Sequence, residues 1–372
     1  MLPYTGDYIE HIEPGKNSLK FYSFTPRPLM RGNIYQMDDE LAMLLIDAHR
    51  NIGFLEGLIK YAPNKEAFAE LMLLKECTYS RMIDYDNPDF KEVLTSRGTG
   101  KGNISPIIDL EAAYRAALNM EICAPDLSRI CGIALYRESE DNPMSVRDHQ
   151  TFWLGAKTNL KGYNPTAPDA VLPALADISA YLYNDQNTDP LIKAALVHYQ
   201  FETIHPFERY NGIVGRIIVP MMLSDIAREA KLLICLSEYL YHNKNEYFDL
   251  LRSTQYSGSY IRWIKFFVNA VGEVAKKSAK LMTQYERIIA LDEHRLTEIG
   301  KSTKSIFEIY NYLKDTPITT ITVAERNLGF SFNTVSKLFH SLQGYGIVEC
   351  HLPSYRNRVF RYSELENLIC AD

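Results

Sequence analysis

Long apolar runs are missing from this chain. No stretch approaches the roughly 18 apolar residues of a membrane span, and the N-terminus, MLPYTGDYIEHIEPG, has neither a basic start nor a hydrophobic segment. Neither a membrane span nor a secretory leader is expected, and the cytoplasm is the expected location. Paired cysteines are missing too. Cys77, Cys123, Cys131, Cys235, Cys350 and Cys370 lie far apart with no C-x-x-C, which fits free thiols in a reducing compartment rather than a metal or redox motif. Positive charge is not in excess, because the net charge is −6. Any phosphate-binding surface must therefore be local. The segment LTSRGTGKGNISP (94–106) has the composition of a phosphate loop but not the G-x-x-x-x-G-K-[ST] spacing. No strand-like run precedes it, so it reads as an exposed loop. No repeat or low-complexity segment is evident.

What is present is mainly helical periodicity. At 372 residues the chain exceeds the roughly 250 to 300 at which one core stops growing, so two or three domains are expected. The first 110 residues are mostly helical in pattern: DDELAMLLIDAHRNIGFLEGLIKYA and NKEAFAELMLLKECTYSRMID repeat apolar residues at three- and four-residue steps. From 142 to 170 Pro, Gly and Asn dominate, and TFWLG is the only strand-like element, which predicts a short hairpin or flap. Helical patterns return through residue 298, the last of them long enough to join two domains. The final segment offers three short helices followed by RNRVFRYSEL, read as a strand pair. That is the order of a winged helix-turn-helix. The expected division is 1–110, 111–298 and 299–372.

One stretch carries the chemistry. In HPFERYNGIVGR (205–216), Pro206 and the Asn211-Gly212 pair break helical geometry, and IVGRIIVPMML begins a new helix. A helix N-terminus offers unpaired backbone N–H groups and a positive dipole end that attract phosphate. Arg216, one turn in, leans back toward that end. His205 is placed to take a proton near neutral pH. A hydrogen-bonded core histidine remains the other reading of these residues alone.

This stretch resembles the signature loop of the Fic family, H-[PA]-F-x-[DE]-G-N-G-R-x-x-R. Further segments are similar to the family as well: RDHQTFWLGA to its flap strand, YNPTAPDAVLPALADISAYL to its proline-rich segment, and DPLIKAALVHYQFETIHPF to the helix feeding the loop. The resemblance implies a mainly α fold: a Fic core with a small β-hairpin flap, an N-terminal helical domain and a C-terminal winged helix. It implies transfer of AMP from ATP to a protein hydroxyl. It assigns His205 as general base, Phe207 as loop anchor, Asn211 and Gly212 as holders of the α- and β-phosphates, Arg216 as the γ-phosphate contact and Tyr247 as an adenine-side residue. Three slots depart from the pattern. Arg209 stands where the family has its magnesium-holding acid, Tyr210 replaces the first glycine and Ile213 the first arginine. Magnesium prefers carboxylate oxygen, so metal in its usual place is in doubt; Glu208 is the one neighbouring substitute, and Arg209 itself is a candidate to neutralise phosphate.

Upstream, ECTYSRMIDYDN is similar to the family's inhibitory helix, with Ser80 at the serine, Asp84 at the acid and Tyr85 at the glycine. The shorter Asp84 predicts a longer or water-mediated pair with Arg216. In the last segment, Arg356, Arg358 and Arg361 favour a backbone contact, but the presumed recognition helix offers only Lys337 and His340. Protein docking or dimerisation is therefore favoured over DNA. The expected partners are a target protein added as a strand at the flap near residues 147–165, no membrane, and a second copy in a homodimer. Two readings stay open: an autoinhibited adenylyltransferase weakened by its degenerate motif, and a catalytically lapsed Fic protein acting as a nucleotide- or DNA-binding regulatory module. A different transferred group, UMP or phosphate, is a third.

Overall fold

The computed structural model describes residues 5–12, 20–30, 34–136, 143–151, 164–298, 304–351 and 358–371. The chain opens on an antiparallel pair, β1 (Gly6–Ile12) and β2 (Lys20–Pro26), with Gly6 opposite Pro26 and Ile12 opposite Lys20. A mostly helical N-terminal region is thus incomplete as a description. The alternation in GDYIEHI is short and half solvated, and the helical periodicity after it dominates the reading.

Next come α1 (Asp39–Tyr61), α2 (Lys65–Asp84), α3 (Phe90–Thr99), α4 (Ser105–Ala117) and α5 (Ala124–Tyr136). Asp38 starts α1 by accepting from the Leu41 amide at 2.8 Å. The helix then buries Leu41, Leu45, Ala48, Ile52, Leu55 and Ile59 on one face. Nearly all of α2 from Phe68 to Ile83 is buried, so its polar side chains must be paired: Glu76 accepts from the Tyr114 hydroxyl at 2.7 Å and the Ser237 amide at 2.9 Å, and Lys75 pairs with Glu238 at 2.7 Å. The expected boundary at 110 falls within α4.

The middle of the chain forms α6 (Pro168–Asn184), α7 (Pro190–Ile204), α8 (Asn211–Met222), α9 (Leu236–His242) and α10 (Lys244–Ser257). After them α11 (Ile261–Glu298) runs 38 residues, about 57 Å at 1.5 Å per residue. It packs on α1, where Gly272 lets the backbones approach: a Cβ there would lie 3.1 Å from Ala48. At its far end Tyr310 donates to the Ile289 carbonyl at 3.3 Å, and Asp292 accepts from Tyr362. The flap segment TFWLG lies outside the described residues, apart from Thr151.

The last unit is α12 (Lys304–Asp315), β3 (Ile318–Thr320), α13 (Ile321–Leu328), α14 (Phe332–Gly344), β4 (Glu349–His351), β5 (Val359–Arg361) and α15 (Ser363–Cys370). Its antiparallel sheet has the order β3-β5-β4. Two expectations need correction. The strand β3 precedes α13, and Ser363–Leu365 opens α15 instead of ending a strand. Both elements are short, and β3 is held by its pairing to β5 rather than by local periodicity. Among the described residues no helix is long and apolar enough to cross a membrane.

Candidate active site

Two buried helices meet at a loop. α7 ends when His205 turns into the left-handed region at φ 53°, and its amide still bonds the Phe201 carbonyl at 3.0 Å. Pro206 follows, and Phe207 is fully buried beside Phe201. Asn211 closes the loop: its Oδ1 accepts from the Phe207 amide and its Nδ2 donates to the Phe207 carbonyl, each at 2.8 Å. The Asn-Gly pair is therefore not a turn. It is the first turn of α8, and the reversal happens at Tyr210, the second non-glycine residue with positive φ, at 68°. The side-chain amide of Asn211, expected on phosphate, is occupied by the loop. The first bond into the helix is Val214 amide to Tyr210 carbonyl; the amides of Asn211, Gly212 and Ile213 precede it and have no intrahelical acceptor.

Arg216 is 1% exposed and faces that helix end. Its Nε donates to the Ser80 hydroxyl at 2.8 Å, and its Nη2 donates to the Ser80 carbonyl at 2.8 Å and to Asp84 Oδ2 at 2.5 Å. The contact with Asp84 is direct, where a longer or bridged one was expected. Gly212 permits it, since a Cβ there would lie 2.8 Å from Asp84 Oδ2 and 2.9 Å from Arg216 Nη1. Burial works against the guanidinium charge, but Asp84 outweighs it and holds Arg216 above its ordinary range. Nη1 is buried without an acceptor among the described residues. A buried guanidinium with one atom unbonded among the described residues thus stands beside the first-turn amides of α8.

The histidine is poised differently. Its Nδ1 donates to the Glu202 carbonyl at 3.3 Å, which leaves the lone pair on Nε2. Desolvation, with Arg147 adding repulsion, lowers His205 to about 4. At neutral pH it is an uncharged base.

Several residues of the site were not singled out from the sequence. Arg147, buried, donates to the carbonyls of His205 (2.7 Å), His149 (3.0 Å), Ile204 (3.1 Å) and Thr166, and its amide donates to Pro206 at 2.9 Å. It fixes the backbone that carries His205. The motif RDHQTFWLGA contained it, but nothing local shows which carbonyls it serves. Glu202 is buried and pushed up to about 8 by desolvation, so it is protonated at neutral pH and leaves Asp84 as the anion facing Arg216. Gly215 makes room for it, since a Cβ there would lie 2.1 Å from Glu202 Oε1. Tyr247, expected beside adenine, is 1% exposed behind α8. Since His198 Nδ1 donates to the Gly215 carbonyl at 2.8 Å, its Nε2 accepts from the Tyr247 hydroxyl at 2.9 Å. The structure places Tyr247 in the core against His198, not on an open face.

Arg209 and Glu208 are exposed, and Ile213 is buried. No group of three His, Cys, Asp or Glu side chains among the described residues is placed to hold a metal ion. The exposed Glu208 carboxylate alone does not fit magnesium's oxygen shell.

The fold and site define a helical domain that presents a helix N-terminus, a buried arginine and a neutral histidine on one loop. Residues 123–223 match the model of the Fic/DOC family, and the chain carries a Fic/DOC family domain there. It is 38% identical over 64 residues to protein adenylyltransferase fic-1 of Caenorhabditis briggsae, covering 16% of this chain and 12% of that protein. It is 28% identical over 113 residues to a probable protein adenylyltransferase of Aquifex aeolicus, covering 30% and 31%. The chain thus spans less than a third of the length of these relatives. A Fic family protein from Desulfovibrio desulfuricans superposes over 88% of this chain and 97% of its own with a TM-score of 0.55 and 15% identity, a likeness of fold.

Proposed function

We propose that this protein is a Fic-type adenylyltransferase that moves AMP from ATP to a hydroxyl side chain of a target protein and is held inactive by α2. One observation carries the reading: the buried Nη1 of Arg216, without an acceptor among the described residues, lies at the first turn of α8, 2.9 Å from where a Cβ on Gly212 would sit, on the loop that carries a neutral His205. In the reaction, His205 Nε2 takes the proton of the target hydroxyl. The hydroxyl oxygen bonds the α-phosphorus, and the bond to the bridging oxygen breaks, releasing pyrophosphate. The Gly212 and Ile213 amides and Arg216 neutralise phosphate oxygens, and exposed Arg209 adds charge where a metal-binding acid is missing. The Ser80 and Asp84 contacts take up Arg216 and supply the brake. The target segment is proposed to dock as a strand near residues 147–165.

The C-terminal unit is proposed as a winged helix that docks protein or a second copy of this chain. Among its arginines Arg358 donates to His340 at 3.2 Å and Arg361 pairs with Glu366 at 2.7 Å, contacts that compete with DNA phosphate; Arg356 lies outside the described residues. A cytoplasmic location is part of the same proposal.

The second reading, a lapsed Fic protein that binds nucleotide without turnover, is favoured by buried Ile213 in an arginine slot and by the missing acid. Incubation with α-labelled ATP and lysate, in wild type, His205→Ala and Asp84→Ala forms, separates the two. Transfer is expected to be strongest in Asp84→Ala and lost in His205→Ala. Label that persists in His205→Ala contradicts the base assignment; label in none of the three supports the lapsed reading.

A further inference from the structure

The end of α2 touches the loop at a second place. Tyr210, in its unfavourable left-handed conformation, accepts a hydrogen bond from Arg81 Nη1 on its hydroxyl at 2.9 Å. Its ring lies 5.5 Å from that of Tyr85, tilted by 42°. The Arg81 guanidinium sits over both rings, 5.0 Å from the Tyr85 centroid and 5.8 Å from that of Tyr210. Burial raises the Tyr85 hydroxyl's pKa above its ordinary value, Asp84 and Tyr210 add to the rise, and Arg81 works against it. Arg81 is buried, so its charge is desolvated and the two ring faces are its aromatic surroundings.

This cluster and the Asp84–Arg216 pair hold the same last turn of α2, but they grip different elements: one grips the side chain inside α8, the other the loop residue that enters it. Tyr85 caps the helix directly after Asp84.

We infer that Arg81, Tyr85 and Tyr210 form a second clasp that holds α2 on the His205 loop independently of Asp84, so that Asp84→Ala frees Arg216 and gives partial activity while the helix end stays docked, and full opening of the site requires both holds to be released. The inference rests on the proposed reading of this loop as a phosphate site covered by α2. Removing Asp84 alone then leaves the helix end docked, and an activating partner has to separate Tyr85 from Tyr210 as well as Asp84 from Arg216.

Hydrogen exchange of the full chain tests this without nucleotide. Backbone amides of residues 78–85 are followed in wild type, Asp84→Ala, and Asp84→Ala combined with Tyr85→Ala or with Tyr210→Gly. The expected result is exchange at least about tenfold faster in either double variant than in Asp84→Ala. Tyr85→Ala leaves the backbone of residue 210 as it is, so it controls for the relief of strain that glycine brings. Exchange in Asp84→Ala as fast as in both doubles overturns the clasp. An ATP titration of the same proteins separates the two claims: a segment that opens as expected without gaining ATP binding leaves the clasp standing and refutes the nucleotide site.

Discussion

The His205 loop and the C-terminal unit are built by opposite rules. In the helices α13 and α14 of the C-terminal unit local signals and tertiary packing agree. Thr320 and Ser331 cap α13 and α14, Gly329 ends α13 in the left-handed conformation, and Phe339 stacks on Phe360 with centroids 4.5 Å apart. At the loop they disagree. Two non-glycine residues hold positive φ, a guanidinium and a carboxyl each bury an atom without a partner among the described residues, and a histidine is kept uncharged. Such conflicts persist only where surrounding structure imposes them, and they concentrate where ligands bind.

Breaking the loop's chemistry gives the largest effect. His205→Ala is expected to lower transfer by about 10²- to 10⁴-fold while leaving the thermal midpoint near that of wild type, read by α-label incorporation beside a melting curve. Glu202 sharpens the contrast through pH. Its pKa is about 8 in the folded chain against an ordinary 4.5, so its contribution is complete below 4.5 and is lost as pH rises toward 8. Glu202→Gln is expected to flatten that alkaline loss, on the order of a few kcal/mol, in denaturation curves from pH 5 to 8. His198 and His205, both lowered to about 4 from 6.5, act in the other direction: stability falls as pH drops from 6.5 toward 4. Asn211→Ala removes both bonds that close the loop and is expected to cost about 2 kcal/mol in urea unfolding, with nucleotide binding lost as well. Ser331→Ala is the matching break in the other region. It removes the cap of α14 for about 1 kcal/mol and leaves nucleotide binding unchanged in the same assays.

The same division explains what the sequence disclosed. The helices around the loop were legible because their apolar spacing follows one buried face, as on α1, and the resemblance of HPFERYNGIVGR placed His205, Phe207 and Arg216 together. Their meeting with Ser80 and Asp84 was legible only through the resemblance, because 132 residues separate Asp84 from Arg216. Asn211-Gly212 misled, since that pair is the strongest local turn signal, yet here both residues are helical. Nothing local asks His205 or Tyr210 to turn left-handed, and both are held by arginines distant in sequence, Arg147 on the His205 carbonyl and Arg81 on the Tyr210 hydroxyl. Tyr247 reads equally well as a ligand contact or a core ring, and only its bond to His198 decides the placement. The pair β1–β2 and strand β3 depend on partners distant in sequence or too short to show a period.

The most direct measurement is a calorimetric titration of ATP into the Asp84→Ala, Tyr85→Ala double variant, with and without a metal chelator. Saturable binding that survives the chelator and disappears on adding Arg216→Gln is the expected result. No binding in the double variant, or binding indifferent to Arg216→Gln, contradicts a phosphate site at the start of α8.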